Sequence, residues 1–401
     1  MEELLNKKNE EENLEIPVGP ARLVILQPTS FCNIDCSYCY VPDRQVKGVM
    51  PLELVEKLCD RLIDEDLLSS RCSVVWHAGE PLTAGKKYLN EAFDIVHRKI
   101  GEKTKVQLTI QTNGTLIDSQ WIQIFKEHKV RVGVSLDGPK WLHDKHRKDR
   151  SSKGSFEATV HGLKQLIDAG VDTYVLAVVT QSTLDWAQEF YEFFHALGVK
   201  DLGLIPEEVD GINLTSSLEG ENVLQSFDDF LKHLHACYVQ YQRKPEIREF
   251  RGVRESIFYS KPITAASNYK TRAYNLLTID KNGGYTTFSP ELAGMHTARG
   301  EDYVFGNIRT DAIRESVKTR KFQDFYRAFY AGVQLCEKQC QWFSMCGGGL
   351  PSNKLAETGR LDVAETMSCR LHVQAFAKTS LHYYNSIIPN VQVMTEPERT
   401  A

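Results

Sequence analysis

From residue 21 onward, short β-type apolar runs alternate with amphipathic helical stretches, and that alternation confines the chain to few folds. The strand segments are 21–27, 73–79, 106–112, 131–136, 172–180 and 201–206. Between them Leu54, Leu58 and Leu62 recur every four residues, Leu89, Phe93 and Val96 at steps of four and three, and Val160, Leu163 and Ile167 at the same helical spacing. Six strand–helix units joined in this way make a parallel sheet with right-handed crossovers. Six are too few to close an eightfold barrel. The expectation is an α/β fold with an open, partial (β/α)6 TIM barrel whose active site lies at the C-terminal ends of the strands.

Those ends carry the unusual residues. The first strand runs toward Cys32, and the second ends at His77-Ala78-Gly79-Glu80-Pro81. The third ends at Gln111-Thr112-Asn113-Gly114 and the fourth at Ser135-Leu136-Asp137-Gly138-Pro139. The fifth ends at Val179-Thr180 and the sixth at Pro206-Glu207-Glu208. Glycine and proline corners end strands in any protein, which accounts for one or two of these but not for the cysteines at the first. Past residue 211 the alternation stops. Residues 222–242 read as one long helix with Leu224, Phe227, Phe230, Leu231 and Leu234 on its apolar face, and 243–270 read as irregular and partly basic. Residues 276–279 and 285–288 flank the turn Asp280-Lys281-Asn282-Gly283-Gly284 as a hairpin, and a helix over 375–386 closes the chain.

Composition narrows the class. A formal charge of −5 over 401 residues gives no reason to expect a nucleic-acid partner. No apolar run has the length of a membrane span, and the polar first fifteen residues lack a signal-peptide core. The expectation is a cytoplasmic protein that neither spans nor binds a membrane. Ten cysteines in such a chain argue against a disulfide framework. Cys32, Cys36 and Cys39 form one group, and Cys336, Cys340 and Cys346, trailed by Cys369, form another. Cys59, Cys72 and Cys237 are isolated and read as small buried apolar residues.

Thiolates spaced by four and three residues can ligate three irons of a [4Fe-4S] cubane from one loop, leaving the fourth iron open. S-adenosylmethionine can chelate an open iron through its amino and carboxylate groups. A structural zinc loop is the alternative, but zinc sites usually close four ligands and no fourth Cys or His lies nearby in sequence. The second group could fully ligate another [4Fe-4S] cluster, or hold a zinc ion with the same four thiolates.

The run Cys32-Asn33-Ile34-Asp35-Cys36-Ser37-Tyr38-Cys39 resembles the signature of the radical S-adenosylmethionine (radical SAM) family, and Gly79-Glu80-Pro81 resembles its motif for the cofactor's amino group. Ala78 stands where the family usually has Gly. The resemblance implies cofactor contacts by Tyr38 (near the adenine), Gly79, Glu80, Asn113, Ser135 and Arg147, the last meeting the methionyl carboxylate. Phe305-Gly306-Asn307-Ile308, the hairpin before it and Cys346-Gly347-Gly348-Gly349 resemble a SPASM domain, the auxiliary-cluster domain of radical SAM peptide maturases. A full SPASM domain carries seven cysteines and two auxiliary clusters. Here Phe288 and Leu350 stand where ligand cysteines are usual, so the resemblance implies one auxiliary cluster, on Cys336, Cys340, Cys346 and Cys369, and about eight irons per chain.

The implied organisation is a mobile arm (1–19), a radical SAM partial barrel (20–235), a bridging region (236–270), a SPASM-type auxiliary-cluster domain (271–375) and a C-terminal helix and tail (376–401). Gln27-Pro28-Thr29-Ser30-Phe31 and Phe288-Ser289-Pro290-Glu291-Leu292, with the reduced cysteine set, resemble the cyclophane-forming maturases of ribosomally made peptides. These abstract a Cβ hydrogen and join that carbon to an aromatic ring. Glu291 is the candidate proton acceptor, against the plainer reading of a solvated loop glutamate. The implied partners are a precursor peptide and an electron donor such as flavodoxin or ferredoxin. Sulfatase-maturing oxidation to formylglycine ranks second, thioether formation third, and a zinc-binding scaffold is the non-enzymatic alternative.

Overall fold

The computed structural model describes residues 14–264, 267–296 and 300–388. Strands β1 (Ala21–Leu26), β2 (Leu68–Trp76), β3 (Lys105–Thr112), β4 (Arg131–Ser135), β5 (Thr173–Val179) and β6 (Asp201–Pro206) lie side by side in chain order and all run parallel. Helices Leu52–Asp64, Lys86–Ile100, Ser119–Glu127, Phe156–Asp168, Ala187–Ala196 and Glu221–Gln240 complete the six units. The residues that set the helical period face the sheet. Leu54, Leu58, Leu62, Leu89, Phe93, Val96, Val160 and Leu163 are buried, and Ile167 packs against them. Trp76 on β2 meets Phe93 edge to face with ring centroids 4.7 Å apart. Each such buried aromatic contributes about 1.5–3 kcal/mol.

The strand limits agree with the sequence pattern to within a residue except at β2, which runs from Leu68 to Trp76 instead of over 73–79. Its first turn of chain, Leu68-Ser69-Ser70-Arg71, is largely polar and hides the strand from an apolar count, but Leu68 pairs with Ala21.

The sheet continues past both edges of the six-strand core. β7 (Glu246–Ile247) adds in parallel beside β6, and β8 (Leu276–Ile279) adds in parallel beside β1 with Leu23 opposite Leu276. The hairpin partner β9 (Gly284–Thr287) and then β10 (Gly306–Asn307) follow antiparallel. The first strand of the C-terminal half therefore covers the otherwise open backbone of β1, an edge that would invite wrong pairing if exposed.

Three segments differ from the sequence expectation. Residues 243–270 are not simply irregular: they hold β7 and a helix over Arg248–Phe258. That helix carries Phe250, Val253 and Ile257 at steps of three and four, with Phe250 buried and Val253 packed against the core, but the repeat is set among charges, Arg248, Arg251 and Arg254 meeting Glu249, Asp201 and Glu246. The expected mobile arm is anchored in its second part. Ile16 is buried, Ala273 N–H donates to Pro17 O at 2.8 Å, and Gln323 bonds both backbone groups of Leu14. Residues 1–13 of that arm, and 389–401 of the C-terminal tail, lie outside the described residues. The closing helix, Phe376–Ile387, is preceded by a wide π-helical stretch over Arg370–Ala375. Among the described residues no helix is long and apolar enough to cross a membrane.

Candidate active site

All six core strands contribute to one cavity of about 270 Å³. It is lined by Cys32, Cys36 and Cys39 after β1, by His77, Ala78 and Gly79 after β2, and by Gln111, Thr112 and Asn113 at β3. Ser135 of β4, Leu176 and Val178 of β5, and Ile205 to Glu208 of β6 complete the ring. Strand ends meet around one space only if the sheet curves, so the partial barrel is what brings these residues together.

The cysteine loop is pinned at several points. Residues Ile34–Cys36 form an antiparallel ribbon with Arg147–Asp149, which sets Cys36 opposite Arg147. Cys32 N–H donates to Arg44 O at 2.9 Å, and Arg150 donates twice to Cys32 O, at 2.9 and 3.1 Å. Two side-chain donors face the sulfurs: Asn113 Nδ2 lies 3.9 Å from Cys32 Sγ, and Arg147 Nη1 lies 3.8 Å from Cys36 Sγ. Burial pushes the Cys32 thiol up to about 12 and Cys36 to about 11, the latter against the pull of Arg147. Thiols so placed stay neutral on their own and ionise when metal coordinates them. Three thiols on one cavity wall, with donors aimed at sulfur, fit a cluster held at three corners.

The corner after β2 shows why glycine is required there. Gly79 has φ +56°, and a Cβ on it would come within 2.6 Å of the carbonyl oxygens of Thr29 and Phe31. Ala78 is also left-handed, with φ +75°, the conformation in which a glycine would be unstrained. The structure gives Glu80 a different task from the contact implied by resemblance. Its side chain is 1% exposed. Oε1 accepts from Leu82 N at 2.9 Å and from Thr112 Oγ1 at 2.7 Å, and Oε2 accepts from Asn113 N at 2.7 Å. The carboxyl thus ties the β2 corner to the end of β3, and only the backbone of this motif faces the cavity. Burial raises Glu80 to about 7, although all three donors pull it down.

Arg147 is not a surface arginine. Its Nε donates to Asp137 Oδ2 at 2.8 Å, and its guanidinium lies 5.5 Å from the centroid of the Tyr38 ring. Tyr38 O–H donates to the same Asp137 oxygen, and Val178 N–H donates to the other at 2.9 Å. Burial alone would raise Asp137; the charge and hydrogen bond of Arg147 outweigh it and hold the carboxyl below its usual range. Ser135 Oγ accepts from Gln111 Nε2 at 2.9 Å on the cavity wall.

Beside the cluster loop the lining is acidic. Glu291 reaches it from the turn after β9 and accepts from Ser289 Oγ at 2.8 Å. It is therefore not a solvated loop residue. Asp210, 5% exposed, stands on the same wall. Burial raises both carboxyls, and the charge of Glu291 raises Asp210 further. Tyr40 faces both and approaches His77 Nδ1 at 3.4 Å. Tyr40, His77, Asp137 and Asp210 join the site beyond the residues expected from the sequence. His77 and Asp137 lie in the strand-end runs, where the strand-end rule points to them. Asp210 lies four residues past β6, on a loop held to the cluster loop by Ile212 N–H donating to Tyr40 O at 3.2 Å.

A second cavity, of about 310 Å³, gathers Cys336, Cys340, Cys346 and Cys369. Cys336 lies in the last turn of the long helix Arg320–Gln339, Cys340 caps its C-terminus, and Cys346 ends the short helix Phe343–Cys346. The chain then turns through left-handed Gly347, and Gly348 N–H approaches Cys346 Sγ at 3.3 Å. Gln374 Nε2 lies 3.7 Å from Cys369 Sγ. Four thiols around such a space suit a fully ligated cubane. Phe288 sits instead inside an aromatic cluster, 5.0 Å from the Phe329 ring and 5.9 Å from Phe325, where a cysteine would be needed for a further cluster. Leu350, 40% exposed, borders the second cavity.

Comparison with known proteins agrees with this geometry. The sequence profile of the Radical SAM superfamily matches residues 26–194. An uncharacterised protein of Synechocystis sp. is 38% identical over 365 residues, covering 90% of this chain and 91% of its own length. The cysteine-type anaerobic sulfatase-maturating enzyme of Clostridium novyi is 34% identical over 342 residues, covering 83% and 88%. Among solved structures, anSMEcpe with bound AdoMet and the Cp18Cys peptide superposes with a TM-score of 0.73 at 23% identity, covering 92% of this chain and 99% of that one. Streptococcus suis SuiB bound to its precursor peptide SuiA gives 0.62 at 16% identity, covering 92% and 79%; at these identities the likeness is one of fold. The chain belongs to the radical SAM superfamily, whose members are enzymes that use S-adenosylmethionine and a [4Fe-4S] cluster.

Proposed function

We propose that the chain is a radical SAM maturase of a ribosomally made peptide, and that it joins an aromatic ring carbon to a nearby Cβ in a three-residue cyclophane. One observation carries the choice. Four thiols share one cavity in the C-terminal half, while the hairpin position that would begin a further cluster is filled by Phe288. That leaves one auxiliary centre, the reduced set of the cyclophane group.

In this reading Cys32, Cys36 and Cys39 hold the SAM-binding [4Fe-4S] cluster, and Cys336, Cys340, Cys346 and Cys369 hold an auxiliary one. When bound, the first cluster with S-adenosylmethionine supplies a 5′-deoxyadenosyl radical, and the auxiliary centre supplies an acceptor for one electron. The chain's own residues do the positioning. Tyr38, the Gly79 backbone, Asn113, Ser135 and Arg147 shape the cavity around the cofactor, and Glu80 acts through the corner it holds. Joining Cβ to the ring removes one hydrogen atom from Cβ, then one electron and one proton from the ring. Glu291 takes the proton. Its neighbour Asp210 favours a shared proton between them, because two buried carboxylates resist ionising together.

A second reading, oxidation of a Ser or Cys side chain to formylglycine, is favoured by the 34% identity to the C. novyi enzyme. Anaerobic coexpression with a candidate precursor peptide separates the two. The cyclophane reading expects the loss of two hydrogens per crosslink and a product that does not react with hydrazides. An aldehyde-reactive product would favour formylglycine. Glu291→Gln is expected to keep S-adenosylmethionine cleavage and lose crosslinking; full crosslinking by that variant excludes the base role.

A further inference from the structure

Lys354 lies on the helix Pro351–Thr358, which follows the Gly347-Gly348-Gly349 turn. Its side chain is 1% exposed, lines the same cavity as the four C-terminal cysteines, and its Nζ has no hydrogen-bond partner. Among the described residues no carboxylate forms an ion pair with it. The Phe329 ring, with its centroid 5.9 Å from Nζ, gives only a weak cation–π contact. Space for the ammonium is built in: a Cβ on Gly332, of the facing helix Arg320–Gln339, would lie 2.8 Å from Nζ. A methionine or leucine would fill this space without desolvating a charge, so an unpaired ammonium there needs a compensating anion. Cys336, Cys346 and Cys369 are the groups within its electrostatic reach. Four thiolates around an iron–sulfur cubane make that anion, and net charge is one of the terms that set such a centre's potential.

We propose that Lys354 is the buried counter-charge of the auxiliary centre, a positioning residue that holds the four-thiolate group and raises its reduction potential. The inference rests on the auxiliary cluster of the function proposed above. A fixed positive charge favours the reduced, more negative form of the centre, which makes it a better acceptor for the electron released when the product ring regains aromaticity.

The test uses anaerobically reconstituted full-length protein as wild type, Lys354→Met and Lys354→Arg. Iron content and a redox titration followed by electron paramagnetic resonance are read on each. Lys354→Met is expected to keep about eight irons per chain and to shift the auxiliary potential to a more negative value, with Lys354→Arg restoring it. An unshifted potential in a fully loaded Lys354→Met overturns the proposal. If Lys354→Met loses the auxiliary irons or fails to fold, recovery in Lys354→Arg supports the charge role, and the same loss in Lys354→Arg overturns it. A wild type holding about four irons per chain would instead overturn the auxiliary centre itself.

Discussion

Glu80→Gln distinguishes a carboxyl that binds cofactor from one that holds the architecture of the site. In the structure both oxygens are acceptors: Oε2 for Asn113 N, and Oε1 for Leu82 N and Thr112 Oγ1. A glutamine has one acceptor oxygen. Whichever way its amide turns, a donor faces a backbone N–H that cannot rotate away. A protonated glutamate avoids this conflict, because its proton can point at the Thr112 oxygen while both oxygens still accept. The substitution therefore strands one buried backbone N–H in either protonation state, at a cost of about 1–3 kcal/mol. Equilibrium urea unfolding of cluster-free protein measures that loss, and isothermal binding of S-adenosylmethionine to reconstituted protein measures the other role. The pH dependence has a definite sign. Glu80 is raised to about 7, so its contribution to stability is full below its unfolded value near 4.5 and is lost as pH climbs through 7. That part of the wild-type pH profile should flatten in the variant. Unchanged stability together with abolished cofactor binding would refute the anchoring role and return Glu80 to the cofactor.

Arg147→Met leaves Asp137 buried without its ion pair and should cost about 3–5 kcal/mol; part of this should return in Asp137→Asn/Arg147→Met, and a denaturation double-mutant cycle showing no coupling would contradict the pair. Asp137 is held low, so its stabilisation is present above its unfolded value near 4 and lost as pH falls below it, and the acid limb of wild-type stability should shrink in Arg147→Met. Ala78→Gly relieves a left-handed alanine worth about 1–2 kcal/mol but adds unfolded-chain freedom worth about 0.5–1 kcal/mol. The net expectation is a stabilisation of up to about 1.5 kcal/mol, and clear destabilisation on thermal unfolding would argue against strain at φ +75°. Phe288→Ala empties the centre of an aromatic cluster and should cost about 3–5 kcal/mol, measured by the same unfolding; a cost under 1 kcal/mol would mean that Phe288 is not a packed plug.

The six-unit core was legible because period is a local property: Leu54, Leu58 and Leu62 declare a helix whatever surrounds them, and apolar runs declare strands. The helix Arg248–Phe258 was legible only in part: Phe250, Val253 and Ile257 recur at helical spacing, but they stand among charges whose partners, Asp201 and Glu246, are unknown until the chain has folded. The sequence by itself determined the kind of chemistry. Residue types at fixed spacing, Cys32, Cys36 and Cys39 above all, bring their reactivity with them. It also limited the second cysteine group to four. The tertiary structure decided what each polar group is free to do. It turned Glu80 away from the cavity to tie two strands together, paired Arg147 with Asp137, and brought Glu291 from the C-terminal hairpin to face Asp210 of the barrel. It also set Lys354 beside three thiols that precede and follow it by as many as eighteen residues. Hydrogen bonds and charges act over a few ångströms, and only the closed fold brings residues so far apart in the chain within that range.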